Sequence, residues 1–167
     1  MKTIRFAAAA LLAVLAACST LLPHSEAPDR TGFYVMRHLD KAEGPDPGLN
    51  EQGRRSAARV ADLLAAAGVR AIYVSTTRRA RETAAPLAGR LGLAPAEYDP
   101  RDTPALVARV RAERGPVLVV GHSNTVPDIV EQLGGTRPAP IAEDRYGDIW
   151  HVSGTPPSTM AMRIEGP

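Results

Sequence analysis

The stretch Val117-Leu118-Val119-Val120-Gly121-His122-Ser123-Asn124-Thr125 decides the fold. Four apolar residues in a row, entered through Gly115-Pro116, describe a strand buried on both faces, the habit of strands in parallel sheets. The run then ends in an imidazole rather than in a plain turn. Thr125 is placed to cap a helix that carries Val126, Ile129, Val130 and Leu133 and is closed by Gly134-Gly135.

The same grammar repeats upstream. Phe33 to Met36 is a second short buried run, and it ends in Arg37-His38. Asn50 is an N-cap for a helix with Ala57, Val60, Ala61 and Leu64 at helical spacing, stopped by Gly68. Ala71-Ile72-Tyr73-Val74 is a third strand, ending at Ser75. A helix follows from about Thr77 to Arg90, with Ala80, Ala84, Leu87, Ala88 and Leu91 on one face. Pro86 lies inside that pattern and is expected to kink or split it. Thr103-Pro104 reads as an N-cap followed by proline at the first helical position, with Leu106, Val107 and Val110 leading on to Gly115. Asp148 to Val152 and Thr159 to Ile164 read as antiparallel strands in the tail. Strands alternating with helices of about 10–15 residues predict an α/β fold, a three-layer sandwich. Its central sheet is mostly parallel and flanked by helices, with antiparallel strands near the C-terminus.

The N-terminal segment belongs to a different category. Lys2 and Arg5 precede twelve unbroken apolar residues, Phe6 to Ala17. That run is too short to span a bilayer as a helix but suits the apolar region of a signal peptide. It closes in Leu15-Ala16-Ala17-Cys18, which resembles a bacterial lipobox, so residues 1–17 are expected to be a lipoprotein signal peptide and Cys18 the lipid attachment site. Residues 18–30 then form a tether and residues 31–167 the folded domain. Ser19 after the cysteine points to a periplasm-facing anchor in the outer membrane of a Gram-negative bacterium. Cys18 is the single cysteine, which leaves no partner for an intramolecular disulfide. The whole chain of 167 residues has 20 Lys+Arg against 18 Asp+Glu. Removing Lys2 and Arg5 balances the remainder at 18 against 18, without the basic excess that nucleic-acid partners require.

In open parallel sheets, ligands bind beyond the carboxyl ends of the strands. Here those ends carry Arg37-His38, Ser75-Thr76-Thr77-Arg78-Arg79-Ala80-Arg81-Glu82-Thr83 and Gly121-His122-Ser123. Two imidazoles with a group of arginines suit phosphoryl transfer from a monoester. Guanidinium forks match phosphate oxygens and stay charged. A neutral imidazole can attack phosphorus to give a phosphohistidine that water hydrolyses. A second imidazole, when protonated, donates to the equatorial oxygens as charge builds there, and the helix after Thr125 can lend its N-terminal dipole.

These three segments resemble the histidine phosphatase superfamily, also called the phosphoglycerate mutase-like superfamily. Its Arg-His-Gly opening corresponds to Arg37-His38-Leu39, followed by the acidic Asp40. Its Ser-x-x-x-Arg-Ala-x-x-Thr pattern is matched by Ser75, Arg79, Ala80 and Thr83, and its Gly-His-[Ser/Gly] pattern by Gly121-His122-Ser123. The resemblance covers roughly residues 32–135. It implies His38 as the phosphorylated nucleophile, with Arg37, Arg79 and His122 holding the phosphoryl group, and it implies no metal or other cofactor. The residues agree, since no paired-histidine or cysteine cluster stands at metal-ligand spacing. The implied partner is a phosphorylated small molecule or a phosphoprotein, with a phosphohistidine phosphatase or a catalytically weak phosphate-binding lipoprotein as alternatives.

Two departures matter. Leu39 stands where the superfamily usually has glycine, which restricts the backbone after the nucleophile and is expected to narrow the pocket. The leaving-group acid is left open among Glu97, Asp99, Asp128 and Asp40. Arg78, Arg81 and Glu82 read as a solvated helix face, His24 as tether and His151 as structural. Lys41, the single lysine after residue 17, reads as a surface residue that could also meet an anionic substrate.

Overall fold

A computed structural model describes residues 32–164; the expected signal peptide and tether, with Cys18 and His24, lie outside the described residues. In chain order the elements are β1 (Gly32–Arg37), α1 (Glu51–Ala66), β2 (Ala71–Ser75), α2 (Arg78–Leu91), β3 (Ala96–Tyr98), α3 (Thr103–Arg111), β4 (Val117–Gly121), α4 (Val126–Gln132), β5 (Asp148–Ser153) and β6 (Ser158–Arg163). They build one six-stranded sheet in the order β3-β2-β4-β1-β5-β6. The first four strands of that order run parallel, while β5 and β6 pair antiparallel, as the alternation predicts.

Burial on both faces makes the sandwich. Met36, Ile72, Val74, Leu118 and Val120 point to one side, against Val60, Ala61 and Leu64 of α1 and Ala84, Leu87 and Ala88 of α2. The alternate residues Val35, Tyr73, Val117 and Val119 point to the other, against Leu106 and Val110 of α3 and Val126, Ile129 and Val130 of α4. The period of two along each strand therefore feeds two separate apolar layers. Each fully buried Leu or Ile contributes about 1.5–3 kcal/mol of transfer free energy.

Local signals held at most element ends. The Asn50 side chain accepts from Gly53 N at 2.8 Å, and Gly68 takes a left-handed φ of 72° past the end of α1. Two expectations are corrected, and one strand is added. Helix α2 runs unbroken through Pro86, because buried residues on both sides of it (Thr83 and Ala84 before, Leu87 and Ala88 after) anchor the helix to the core. The cap of α3 is Asp102, which accepts from Ala105 N at 3.1 Å, so Thr103 is already helical. Strand β3 has three residues and too little apolar pattern to announce itself; its pairing with β2 forms it.

Parallel neighbours β1 and β4 place the site. Arg37 sits opposite Gly121, and His38 N donates to Gly121 O at 3.0 Å. The residues that follow these strands, His38 and His122, therefore emerge side by side. Gly121 has no room for a side chain: a Cβ would lie 2.8 Å from Thr125 Oγ1 and 3.0 Å from the Tyr98 hydroxyl.

Candidate active site

His38 is 3% exposed, at the floor of the site. Its Nδ1 lies 2.8 Å from the Leu39 carbonyl oxygen. A carbonyl only accepts, so Nδ1 carries the proton and Nε2 keeps the lone pair. Burial pushes the His38 pKa down to about 3, with the positive charges of Arg79 and Arg37 and the neighbouring His122 adding to the effect against the Leu39 hydrogen bond. The His38 ring is thus neutral and its Nε2 unprotonated across the physiological range.

His122 meets it edge to face, with ring centroids 5.4 Å apart. Burial first, then Arg79 and Arg37, lowers His122 to about 4, while Glu143 acts the other way. The turn that presents this ring is tied at both ends: His122 N donates to Thr125 Oγ1 at 3.0 Å and Val126 N to His122 O at 3.0 Å. The Thr125 hydroxyl is spent on His122 and makes no side-chain cap for α4. That corrects its expected role as an ordinary N-cap, and the hydroxyl serves the site instead.

The arginines come from two elements. Arg79 lies in the first turn of α2, and its Nη1 is 3.7 Å from Asp46. Asp46 also accepts from Arg78 N at 3.0 Å, which supplies the cap that Thr77 does not give α2. Arg37 is 3% exposed and clasped by the segment before β5. Its Nη1 donates to Ala142 O at 2.8 Å and Arg145 O at 3.1 Å, its Nη2 to Glu143 at 2.9 Å, and the Tyr146 ring lies 4.4 Å from its Cζ. The Nε atoms of Arg37 and Arg79 are buried without a hydrogen-bond partner. An unpaired buried donor costs about 1–3 kcal/mol, a cost that folded proteins tend to concentrate where a ligand binds.

All four expected residues, Arg37, His38, Arg79 and His122, are thus brought together. The rest of the second pattern holds the frame: Thr83 Oγ1 accepts from Leu39 N at 3.0 Å and donates to Arg79 O at 2.8 Å, and Ser75 is fully buried. Leu39 does not narrow the pocket. Its side chain is fully buried in the core layer beneath α1 and α2, and among non-glycine described residues only Asp46 has a positive φ.

Three of the four carboxylates offered by the sequence are engaged elsewhere. Glu97 pairs with Arg81 at 3.0 Å, Asp99 with Arg101 at 3.0 Å, and Asp128 with Arg137 at 2.5 Å. Asp40 lends its carbonyl to Asn50 N and lines a polar recess with Gln52, Ser56, Asp144 and Tyr146, next to the site. The structure instead delivers Glu143, whose Oε1 accepts from Ser123 Oγ at 2.6 Å and whose Oε2 meets Arg37. Ser123, Arg37, His38 and Lys41 hold its carboxyl below the usual range. Nothing in the Pro138–Gly147 segment carries a periodic or motif signal, so Glu143, Tyr146 and likewise Asp46 were invisible to pattern reading. Lys41 is exposed and acts on Glu143 through its charge. Among the described residues no three His, Cys, Asp or Glu side chains gather to hold a metal ion, and no helix is long and apolar enough to cross a membrane.

Residues 35–101 match the sequence model of the histidine phosphatase superfamily (branch 1). No curated protein matches the chain significantly. Among solved structures, mycobacterial glucosyl-3-phosphoglycerate phosphatase superposes with a TM-score of 0.62 at 16% identity, over 79% of this chain and 97% of that one. The protein histidine phosphatase SixA, complexed with tungstate, gives a TM-score of 0.62 at 20% identity over 79% and 96%. A phosphoserine phosphatase from Entamoeba histolytica, in complex with 3-phosphoglyceric acid, gives 0.61 at 16% over 81% and 98%. At these identities the likeness is one of fold.

Proposed function

We propose that this chain, whose residues 35–101 match the histidine phosphatase superfamily model, is a phosphatase of that superfamily and hydrolyses phosphomonoesters through a phosphohistidine on His38. The observation that carries this reading is the His38 imidazole: its Nδ1–H is engaged by Leu39 O, and both Arg37 and Arg79 act on it electrostatically. That arrangement supports Nε2 as a nucleophile needing no prior deprotonation. Nε2 attacks phosphorus as the ester P–O bond breaks; water then attacks the phosphohistidine, returning the electron pair to Nε2 and releasing phosphate.

Arg37 and Arg79 would hold the phosphoryl oxygens, with Tyr146 and the Ala142–Arg145 carbonyls fixing Arg37 for the task. His122, neutral in the unliganded site, gains basicity when an anion lands beside it and then donates to the phosphoryl group in its charged form. The substrate is a phosphorylated small molecule or a phosphoprotein. By the lipobox-like Leu15-Ala16-Ala17-Cys18, the enzyme works on the periplasmic side of a membrane, tethered through Cys18, with residues 1–17 removed.

Incubating the full-length protein with p-nitrophenyl phosphate, with and without His38→Ala, tests the reaction. Turnover, together with an acid-labile protein-bound phosphate that disappears in His38→Ala, is expected. Phosphate binding with no turnover at acidic or neutral pH would leave only a binding module. Palmitate labelling lost in Cys18→Ser is expected for the anchor, and labelling retained in that variant would refute it.

A further inference from the structure

We propose that Glu143 is the general acid for the leaving group, and the general base for the water that follows, in place of a carboxylate from the segment after α2. This rests on the phosphohistidine reading above. His38 is at the floor of the site, 3% exposed, so an in-line displacement sends the leaving oxygen outward, toward solvent. A proton donor therefore has to stand at the rim, across the phosphoryl position from His38. Glu143 stands there: it is 79% exposed, and it touches Arg37 and Ser123, the residues that immediately precede His38 and follow His122.

The other carboxylates have other duties. Glu97, Asp99 and Asp128 are each paired with an arginine away from the histidines. Asp46 reaches Arg79, but the same oxygen caps α2 through Arg78 N. Glu143 is also carried by a segment that is rigidly held. Ala142 O and Arg145 O accept from Arg37, and Arg145 pairs at 2.5 Å with Asp148, which is 8% exposed and paired in turn with Arg163.

The proton count closes. In the first step Nε2 of His38 bonds to phosphorus, the P–O bond breaks, and the leaving oxygen takes the proton of the Glu143 carboxyl. In the second, the Glu143 carboxylate removes a proton from water as its oxygen bonds to phosphorus. The P–N bond then breaks and the carboxyl is regenerated. The groups facing Glu143 are Arg37, His38, Lys41, Ser123 and His122. In the unliganded site they favour its ionised form. A dianionic phosphate seated on Arg37 competes for that guanidinium and adds negative charge, and both effects favour the protonated carboxyl.

The test compares full-length wild type, Glu143→Gln and Asp46→Asn on two substrates that need different amounts of acid help: p-nitrophenyl phosphate and an alkyl ester, β-glycerophosphate. For Glu143→Gln, kcat/KM on the alkyl ester is expected to fall about 10²–10⁴-fold, and on the aryl ester several-fold at most. The acidic dependence of wild type on the alkyl ester should flatten, and inorganic phosphate should bind no more weakly. Equal losses on both esters with weakened phosphate binding would make Glu143 a support for Arg37 and overturn the proposal. So would no loss, or a leaving-group effect confined to Asp46→Asn. If wild type itself turned over neither ester and formed no phosphohistidine, the phosphatase reading would fall and the assignment of Glu143 with it. An unchanged ester ratio in an active enzyme refutes Glu143 alone.

Discussion

Two buried imidazoles facing two guanidiniums should make this fold acid-sensitive well above the pH at which carboxylates protonate. His38 is lowered to about 3 and His122 to about 4, each first by burial. In the unfolded chain both return to about 6.5. The unfolded state therefore binds more protons as pH falls, so stability is complete above about 6.5 and is lost progressively toward the folded-state values. Between pH 7.5 and 5.0, linkage gives a loss of about 2 kcal/mol for His38. His122 is partly exposed, and discounting its share for solvent screening leaves roughly 3 kcal/mol for the pair, a large fraction of the about 5–15 kcal/mol typical of a domain. Glu82, Glu143 and Asp148 are held low as well, but their effect begins only as pH falls through the ordinary carboxylate range. The window from 7.5 to 5.0 thus isolates the imidazoles. Denaturant unfolding at these two pH values, for wild type and His38→Asn/His122→Asn, measures the difference. The variant retains His151, which is also lowered by burial, so only the two site rings are subtracted. Equal pH dependence in the two proteins, or NMR titration of either site imidazole near 6.5 in the unliganded fold, would refute the reasoning.

Thr83→Val keeps the volume but leaves the buried Leu39 N–H without its acceptor, and should cost about 1–3 kcal/mol in denaturant unfolding while Thr83→Ser costs less. Gly53→Ala should destabilise by about 1–3 kcal/mol although alanine is the better helix former, since its Cβ would fall 2.2 Å from Asp40 O; a stabilised variant would contradict that contact. Arg79→Lys keeps the charge but loses the fork, and calorimetry should find inorganic phosphate bound about 10–100-fold more weakly.

Part of this molecule follows from short-range rules. Strand ends, helix starts and stops, and the two-faced burial of β1, β2 and β4 depend on neighbours within a few residues, so periodicity and caps announce them. That Arg37-His38 and Gly121-His122 share one edge of the sheet also follows, because ligands bind beyond the carboxyl ends of parallel strands, whereas the adjacency of β1 and β4 was decided by the fold. What pattern reading placed wrongly was decided by contacts across the fold. Pro86 stays inside α2 because the core grips both halves of the helix. Leu39 turns into the core rather than the pocket because Thr83 pins its N–H. Asp102 takes the cap from Thr103.

The rim of the site belongs wholly to tertiary structure. Glu143 and Tyr146 reach Arg37 from more than 100 residues away in the chain, through the Glu143 carboxylate and the Tyr146 ring, on a segment held by hydrogen bonds from Arg37 to the Ala142 and Arg145 carbonyls. Such contacts set no requirement on local residue types, and so they leave no pattern to read. The sequence by itself determined five of the six strands, the two histidines and the two arginines. Which carboxylate stands over them was decided only when β5 laid its entry segment across the end of β1.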